Sequence, residues 1–447
     1  MDSRSSRREQ AHREDVSTDR PGMTGRRAPR PGLAKWLYPG MEVKRWLAVL
    51  VLGILGLSLG IAYIITHLYR TQPFPEAAYY VTLQFVDRPY RALLFGALGL
   101  GVVVLALRQL GNSLLQVIDP NNHDSLVDRV YRTRRLSRGP KIVAIGGGTG
   151  LSTLLRGLKE CSSNITAIVT VADDGGSSGK LRRALGVPPP GDFRQCIAAL
   201  ADTEPLVTEL FQYRFGDGSG LDGHSFGNLF IVAMAEVTGS FERALQESSR
   251  VLAVRGQILP STLQDLVLCA ELDDRSTLSG ESKISESLCP IHRVFVEPES
   301  PPAYPEAVKA ILEADAIIIG PGSLYTSVLP NLLVKGVAEA IRSSPAPKIY
   351  VCNVATQRGE TDNYTLEDHL AALERHVDGP IMDYVVANNH FIDMPAKWRV
   401  WNVPVDGEAL SGRGFKLIQA DLINEGFPTR HDPRKLASTL MQLINSL

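Results

Sequence analysis

The stretch Lys141-Ile142-Val143-Ala144-Ile145-Gly146-Gly147-Gly148-Thr149-Gly150-Leu151-Ser152 decides the fold. An apolar run of strand length, Lys141 to Ile145, ends in a cluster of glycines. A helix then opens, with Leu154, Leu155 and Leu158 at helical spacing. A glycine turn between a strand and a helix lets the backbone approach a ligand closely, and the free N–H groups at the helix start favour anions. The spacing is not Gly-x-Gly-x-x-Gly, and a merely tight turn would use the same residues.

The same grammar continues toward the C-terminus. Short apolar runs end in Gly-rich or polar loops and are followed by helix-length segments, the pattern of a parallel sheet with crossover helices. Strands are predicted at Lys141 to Ile145, Ile165 to Val171, Ala316 to Ile319, Lys348 to Cys352 and Tyr384 to Val386. Phe193 to Leu252 reads as mainly helical. Asp265 to Ser285, turning at Asp273-Asp274-Arg275, reads as a β-hairpin appended to the sheet. Asp432 and Pro433 supply an N-cap and a first-turn proline for a terminal amphipathic helix.

Toward the N-terminus the composition changes. Residues 1–45 are Arg-rich and lack apolar periodicity, so a disordered basic tail is expected. Trp46 to Thr66 contains no charged residue and is long enough to span a hydrocarbon core; Ala92 to Leu107 is shorter, with Arg91 and Arg108 able to extend toward the interfaces. Residues 46–111 therefore read as a transmembrane helical hairpin, 112–139 as a juxtamembrane linker and 140–447 as the soluble domain; a buried core helix is the alternative for each apolar run. Basic residues before Trp46, and Arg129, Arg132, Arg134, Arg135, Arg138 and Lys141 after the second run, predict that both ends face the cytoplasm at the plasma membrane. That second cluster also suits anionic lipid.

Composition narrows the chemistry. A formal net charge of -1 gives no global basic field for nucleic acid. The five cysteines show no CxxC pair and the nine histidines no HExxH spacing, which argues against a disulfide framework and a zinc site. Any metal is expected to be a hard cation on carboxylates and phosphate oxygens.

Further loops share the polar, glycine-bearing character. Ala172-Asp173-Asp174-Gly175-Gly176-Ser177-Ser178-Gly179-Lys180 follows a strand; its carboxylates could hold Mg²⁺, accept from ribose or base, or cap the next helix. Gly191-Asp192-Phe193-Arg194 and Gly223-His224-Ser225-Phe226-Gly227-Asn228 open helices. Gly320-Pro321-Gly322-Ser323-Leu324-Tyr325-Thr326-Ser327 and Cys352-Asn353-Val354-Ala355-Thr356-Gln357-Arg358-Gly359-Glu360-Thr361 end strands. Each alone is compatible with ordinary capping. Together they predict loops converging on one crevice at the carboxyl ends of parallel strands. No nucleophile–base pair or glycosidase-like carboxylate pair is identifiable, so the residues speak for binding more than for a named reaction.

These motifs, in order, resemble the YvcK-like gluconeogenesis factors, a branch of the superfamily that includes the CofD-type 2-phospho-L-lactate transferases. The resemblance runs from about Pro140 to the C-terminus. It rests on Gly146–Ser152, Ala172–Gly179, Gly191–Cys196, His224–Asn228, Arg255–Thr262, Gly320–Leu333, Thr356–Thr361 and Arg430–Asp432. It implies a doubly wound, mostly parallel, Rossmann-like α/β domain with a helical insertion and a hairpin. It also implies UDP-N-acetylglucosamine or a related UDP-sugar as ligand, and a regulatory role in carbon metabolism, cell-wall synthesis and cell shape. Catalysis is not implied for this branch. The CofD-type branch transfers a phosphate-linked lactyl group onto a deazaflavin precursor with Mg²⁺, which is the alternative reading. Family members often have only the soluble domain, and the N-terminal hairpin departs from that pattern.

The expected ligand set is Gly147, Gly148, Thr149 and Gly150 for phosphate, with Asp173 and Asp174 for ribose, base or Mg²⁺. Gly175, Ser177, Asp192, Arg194, Asn228, Gly322, Ser323, Tyr325 and Asn353 join them. Arg430 is added as a family ligand contact by resemblance; a salt bridge with Asp432 is its alternative role. A homodimer and protein partners in cell-wall synthesis are expected, and nucleic acid is not.

Overall fold

The computed structural model describes residues 43–71, 79–118 and 134–447, except 81, 84, 203, 204, 217, 219, 288, 378, 408, 409 and 411. The expected basic tail up to residue 42, and most of the expected linker, lie outside these residues, while residues 43–45 already belong to a helix. The chain divides into two units, Met1–Arg132 and Thr133–Leu447.

The first unit contributes helices α1 (Val43–Thr71, 29 residues) and α2 (Arg88–Ile118, 31 residues). Both overrun the apolar runs read from sequence, and α2 continues into the segment expected as linker, because the first proline after Leu107 is Pro120. At 1.5 Å per residue each is about 45 Å long, more than the roughly 30 Å hydrocarbon thickness of a bilayer. Leu52, Leu57, Leu59, Tyr63, Leu93, Leu98 and Leu100 are all exposed. Both helices are long and apolar enough to cross a membrane by length and composition.

The second unit is built on ten strands: β1 Ile142–Gly146, β2 Ile165–Val169, β3 Gln257–Pro260, β4 Val267–Leu272, β5 Thr277–Ser279, β6 Ile291–Glu297, β7 Ala316–Ile319, β8 Lys348–Val351, β9 Tyr384–Asn388 and β10 Lys416–Ala420. Seven of them form one sheet in the order β10-β9-β8-β7-β1-β2-β3, every neighbouring pair parallel. The chain winds outward from β1 to β3, then returns to the other side of β1 and winds outward again to β10. The topological switch therefore falls between β1 and β7, where Ile142–Ile145 pair with Ala316–Ile319. In doubly wound sheets ligands bind outside the carboxyl ends of the strands at this reversal.

All five residues of β1 and all four of β7 are buried, as expected for strands covered by helices on both faces. The α-helices of five residues or more are α3 Gly148–Leu158, α4 Gly176–Leu185, α5 Gly191–Leu200, α6 Pro205–Gln212, α7 Phe226–Thr238, α8 Phe241–Val251, α9 Glu281–Ser285, α10 Pro305–Leu312, α11 Lys335–Ser343, α12 Leu366–His376 and α13 Pro433–Ser446. As the sequence predicts, Asp432 caps α13: its Oδ1 accepts from the N–H groups of Arg434 and Lys435. The same helix packs against α3, where Gly157 lies directly under the Pro433 backbone.

One expectation is corrected. The hairpin is not part of the main sheet; β4 and β5 join β6 in a separate three-stranded antiparallel sheet, order β5-β4-β6. The reading missed β6, which takes the edge of β4 that would otherwise be free. It also missed β3, a four-residue strand ending in proline, and β10, an edge strand whose residues are at most half-buried and so show no continuous apolar run.

Candidate functional site

The loops after β1, β2, β7 and β8 line one cavity of about 800 Å³, together with residues from α5, α9 and the segments 398–400 and 427–431. The Gly146–Gly150 and Asp173–Gly179 turns thus open on the same edge of the sheet. Gly147, extended, precedes α3, and no side chain caps the helix at that position. Gly148 has φ +58, a conformation that side chains rarely adopt. At Gly150 a Cβ would sit 2.5 Å from the Pro321 carbonyl and 2.6 Å from Gly322 Cα, so the two anion-type loops pack backbone to backbone. Asn353 holds the second of them from β8: its Nδ2 donates to the Gly322 carbonyl at 2.8 Å, and Gly322 N–H donates to its Oδ1 at 3.2 Å.

A carboxylate wall shares the cavity. Asp192, from the start of α5, accepts from Gly148 N–H, and burial together with the Asp173 charge pushes its carboxyl up to about 7. Glu281 is pushed to about 8 by burial and by the charges of Asp173, Glu360, Asp192 and Asp174. Asp173 is also raised, chiefly by burial, although its Oδ1 accepts from Gly175 N–H at 2.9 Å. Perturbed carboxyls collected in one cleft are a mark of a functional site.

Of the expected ligand residues, Gly147, Gly148, Thr149, Gly150, Asp173, Asp192, Gly322, Ser323, Asn353 and Arg430 line the cavity. Gly175, Asp174, Ser177, Arg194, Asn228 and Tyr325 do not. Asp174 turns away, its Oδ1 accepting from Ser282 N–H at 2.9 Å, which fastens the loop after β2 to the start of α9. Arg194 Nε donates to Asn228 Oδ1 at 2.9 Å, Asn228 Nδ2 donates to Ser177 Oγ at 3.0 Å, and Ser177 Oγ meets His224 Nδ1 at 3.0 Å. This buried chain ties the second loop to α5 and α7 from behind. Tyr325 is fully buried and its hydroxyl lies 2.8 Å from that of Tyr364. Asp173 faces the cavity and Asp174 does not; among the described residues no group of three or more His, Cys, Asp or Glu side chains is placed to hold a metal ion.

Arg430 is exposed on the cavity rim, its guanidinium 6.0 Å from the Phe427 ring centroid. Asp432 serves the helix cap, and no Arg430–Asp432 ion pair forms among the described residues. Sequence reasoning missed Gln195, Glu281, Gln357, Trp398 and Phe427, which also line the cavity. Gln195 and Gln357 sit inside quoted motifs. Glu281 and the two aromatics lie outside the motifs read from sequence, and tertiary packing brings them to the cavity.

The family model for CofD, the 2-phospho-L-lactate transferase, matches residues 142–423. The chain belongs to the CofD family. Within it, the chain is a homologue of the gluconeogenesis factors. It is 49% identical over 423 residues to a putative gluconeogenesis factor of Nostoc sp., covering 91% of this chain and 92% of that one. It is likewise 49% identical over 315 residues to the gluconeogenesis factor of Bacillus subtilis, covering 69% of this chain and 99% of that one. A crystal structure of a Bacillus halodurans protein superimposes with TM-score 0.65 at 47% identity, covering 69% of this chain and all of its own. The unaligned 9% in the Nostoc comparison, about 40 of 447 residues, is fewer than the 42 that precede α1. That alignment therefore reaches the two N-terminal helices, so the extension is shared with some CofD-family relatives and lacking in the shorter ones.

Proposed function

We propose that this CofD-family protein is a membrane-tethered regulator that binds UDP-N-acetylglucosamine or a related UDP-sugar in the cleft between β1 and β7. The observation that carries the reading is a single cavity combining two glycine loops at a helix start, the Arg430 guanidinium, and the aromatic faces of Trp398 and Phe427. Backbone N–H groups and a guanidinium suit a diphosphate, and aromatic faces suit a nucleobase. The volume lies in the range of small-molecule sites. The carboxylate wall then meets the sugar, whose hydroxyls donate to carboxylates.

The two apolar helices support an anchor in the plasma membrane with both chain ends cytoplasmic, where cell-wall precursors are used. A ligand bound there would bias a surface for protein partners in cell-wall synthesis, with the protein acting as a homodimer. The test is calorimetry and native mass spectrometry on the full chain in detergent. UDP-N-acetylglucosamine should bind and be recovered unchanged after long incubation. Failure of every UDP-sugar and of UDP to bind at millimolar concentration would sink the proposal.

A second reading, Mg²⁺-dependent group transfer, draws on Asp173 in the cavity wall and on the transferase that gives the family its name. Asp173 would share the ion with phosphate oxygens, while Asp174 is committed to Ser282. Mg²⁺-dependent product formation with a deazaflavin acceptor would favour it over the sensor.

A further inference from the structure

Behind the loop that follows β7 lies Glu360, 4% exposed and far from any role the cleft demands of it. Its Oε2 accepts from Tyr325 N–H at 3.2 Å, at the opening of the π-helical turn Leu324–Val328. Its Oε1 accepts from the Thr326 hydroxyl at 2.9 Å, from Gln357 Nε2 at 2.7 Å and from the Ser285 hydroxyl at 3.4 Å. Gln357 in turn accepts at its Oε1 from the Ser323 hydroxyl, at 2.7 Å. Ser323 and Gln357 line the cavity.

The direction of this relay follows from which groups can donate. An ionised carboxylate only accepts, so Gln357 must turn its amide N–H₂ toward Glu360 and its carbonyl toward Ser323. The Ser323 proton is then spent inward on that carbonyl, and only lone pairs of its oxygen remain for the cleft. Burial pushes Glu360 up to about 6, which leaves it ionised at neutral pH. A hydroxyl beside two anion-type loops would ordinarily be assigned to a phosphate oxygen, which is itself an acceptor. Here the two acceptors would meet without a proton between them.

We propose that Ser323 faces the cleft as a hydrogen-bond acceptor, its polarity fixed by Glu360 through Gln357, and that it reads a hydroxyl or amide N–H on the sugar of the nucleotide-sugar ligand. Glu360 is a positioning residue, acting on the ligand only through Ser323, and Gln357, at the cavity wall, passes its polarity on. The inference rests on the UDP-sugar reading above and adds to it the part of the ligand that this side chain recognises.

The test compares UDP with UDP-N-acetylglucosamine by calorimetry on the full chain at neutral pH. Ser323→Ala is expected to weaken the UDP-sugar roughly five-fold, the loss of one net hydrogen bond, and to leave UDP unchanged. Glu360→Gln lets position 360 donate, freeing Gln357 to reverse and Ser323 to turn its proton outward. It should weaken the UDP-sugar by a similar factor, and have no further effect in the Ser323→Ala background. Gln357→Met, which cuts the relay while leaving three of the donors to Glu360, should weaken the UDP-sugar only where Ser323 is present, and decides the matter if Glu360→Gln fails to fold; a loss that persists in the Ser323→Ala background would be a direct Gln357 contact and would overturn the relay. Equal losses for UDP and UDP-sugar in Ser323→Ala would make Ser323 a phosphate contact and overturn the proposal. Multiplying losses in the double variants would overturn the relay. A wild-type protein that binds neither compound would overturn the underlying reading and this one with it.

Discussion

Replacing Asp192 by Asn should stabilise the unliganded protein above neutral pH. The rise of the Asp192 carboxyl from 3.8 to about 7 is about three units, or about 4 kcal/mol at about 1.4 kcal/mol per unit. The sign follows from linkage. Below pH 3.8 folded and unfolded states are both protonated and the group contributes nothing. Between 3.8 and about 7 the folded state keeps a proton that the unfolded state has lost, so stability falls as pH rises; above about 7 the full cost is present. Asp173 shares that cost as the neighbouring charge, so removing Asp192 alone should recover on the order of 2–4 kcal/mol at pH 8. Asn keeps an oxygen to accept from Gly148 N–H, so the start of α3 retains its partner. At about 2 °C per kcal/mol for a domain of this size, the expected gain is about 4–8 °C in Tm. Differential scanning calorimetry of both proteins in the same detergent, from pH 5 to 8, reads the effect. The gain should vanish toward pH 4, and a residual slope near pH 8 should persist from Glu281, which titrates at about 8. A Tm that falls in the variant at pH 8, or a gap between the two proteins that is independent of pH, would refute the reasoning.

Other outcomes follow from the same geometry. Arg430→Gln should weaken UDP-sugar binding by roughly 10- to 100-fold, the range for a charge-assisted contact, with a shallower salt dependence by titration calorimetry. Gly150→Ala should destabilise the domain by about 1–3 kcal/mol in chemical denaturation, because the added methyl meets the main chain of Pro321 and Gly322, which no side-chain rotation can clear. Asn353→Ala leaves the N–H and carbonyl of Gly322 without partners and should cost a similar 1–3 kcal/mol, with loss of UDP affinity as the loop relaxes. If α1 and α2 anchor the protein, alkaline carbonate should leave the full chain in the membrane pellet and release a chain starting at Pro140. Release of the full chain would remove the anchor from the proposal.

Much of the fold was legible because its signals are local. Five residues of β1, all buried, needed no partner to be read as a strand, and the glycines after it announced a turn that only a backbone without side chains can make. The helix cap at Asp432 was legible for the same reason, since capping joins residues two and three positions apart. The Ser225 side chain likewise accepts from Asn228 N–H, which fixes Asn228 at the start of α7. What that position does in the fold was not legible. Its amide could have faced a ligand or a neighbour, and contact with Arg194 and Ser177 decides for the neighbour.

The sequence by itself determined that this chain alternates strands and helices, that loops rich in glycine and carboxylates end its strands, and that two long apolar helices precede them. Those properties depend on residues a few positions apart. Only the tertiary structure decided that the loops after β1 and β7 meet at the sheet reversal, that Asp173 faces the cavity while Asp174 turns from it, and that Glu281, Trp398 and Phe427 join them. These residues are separated by tens to hundreds of positions, and which of two adjacent side chains faces inward depends on the backbone path between elements that no local pattern encodes.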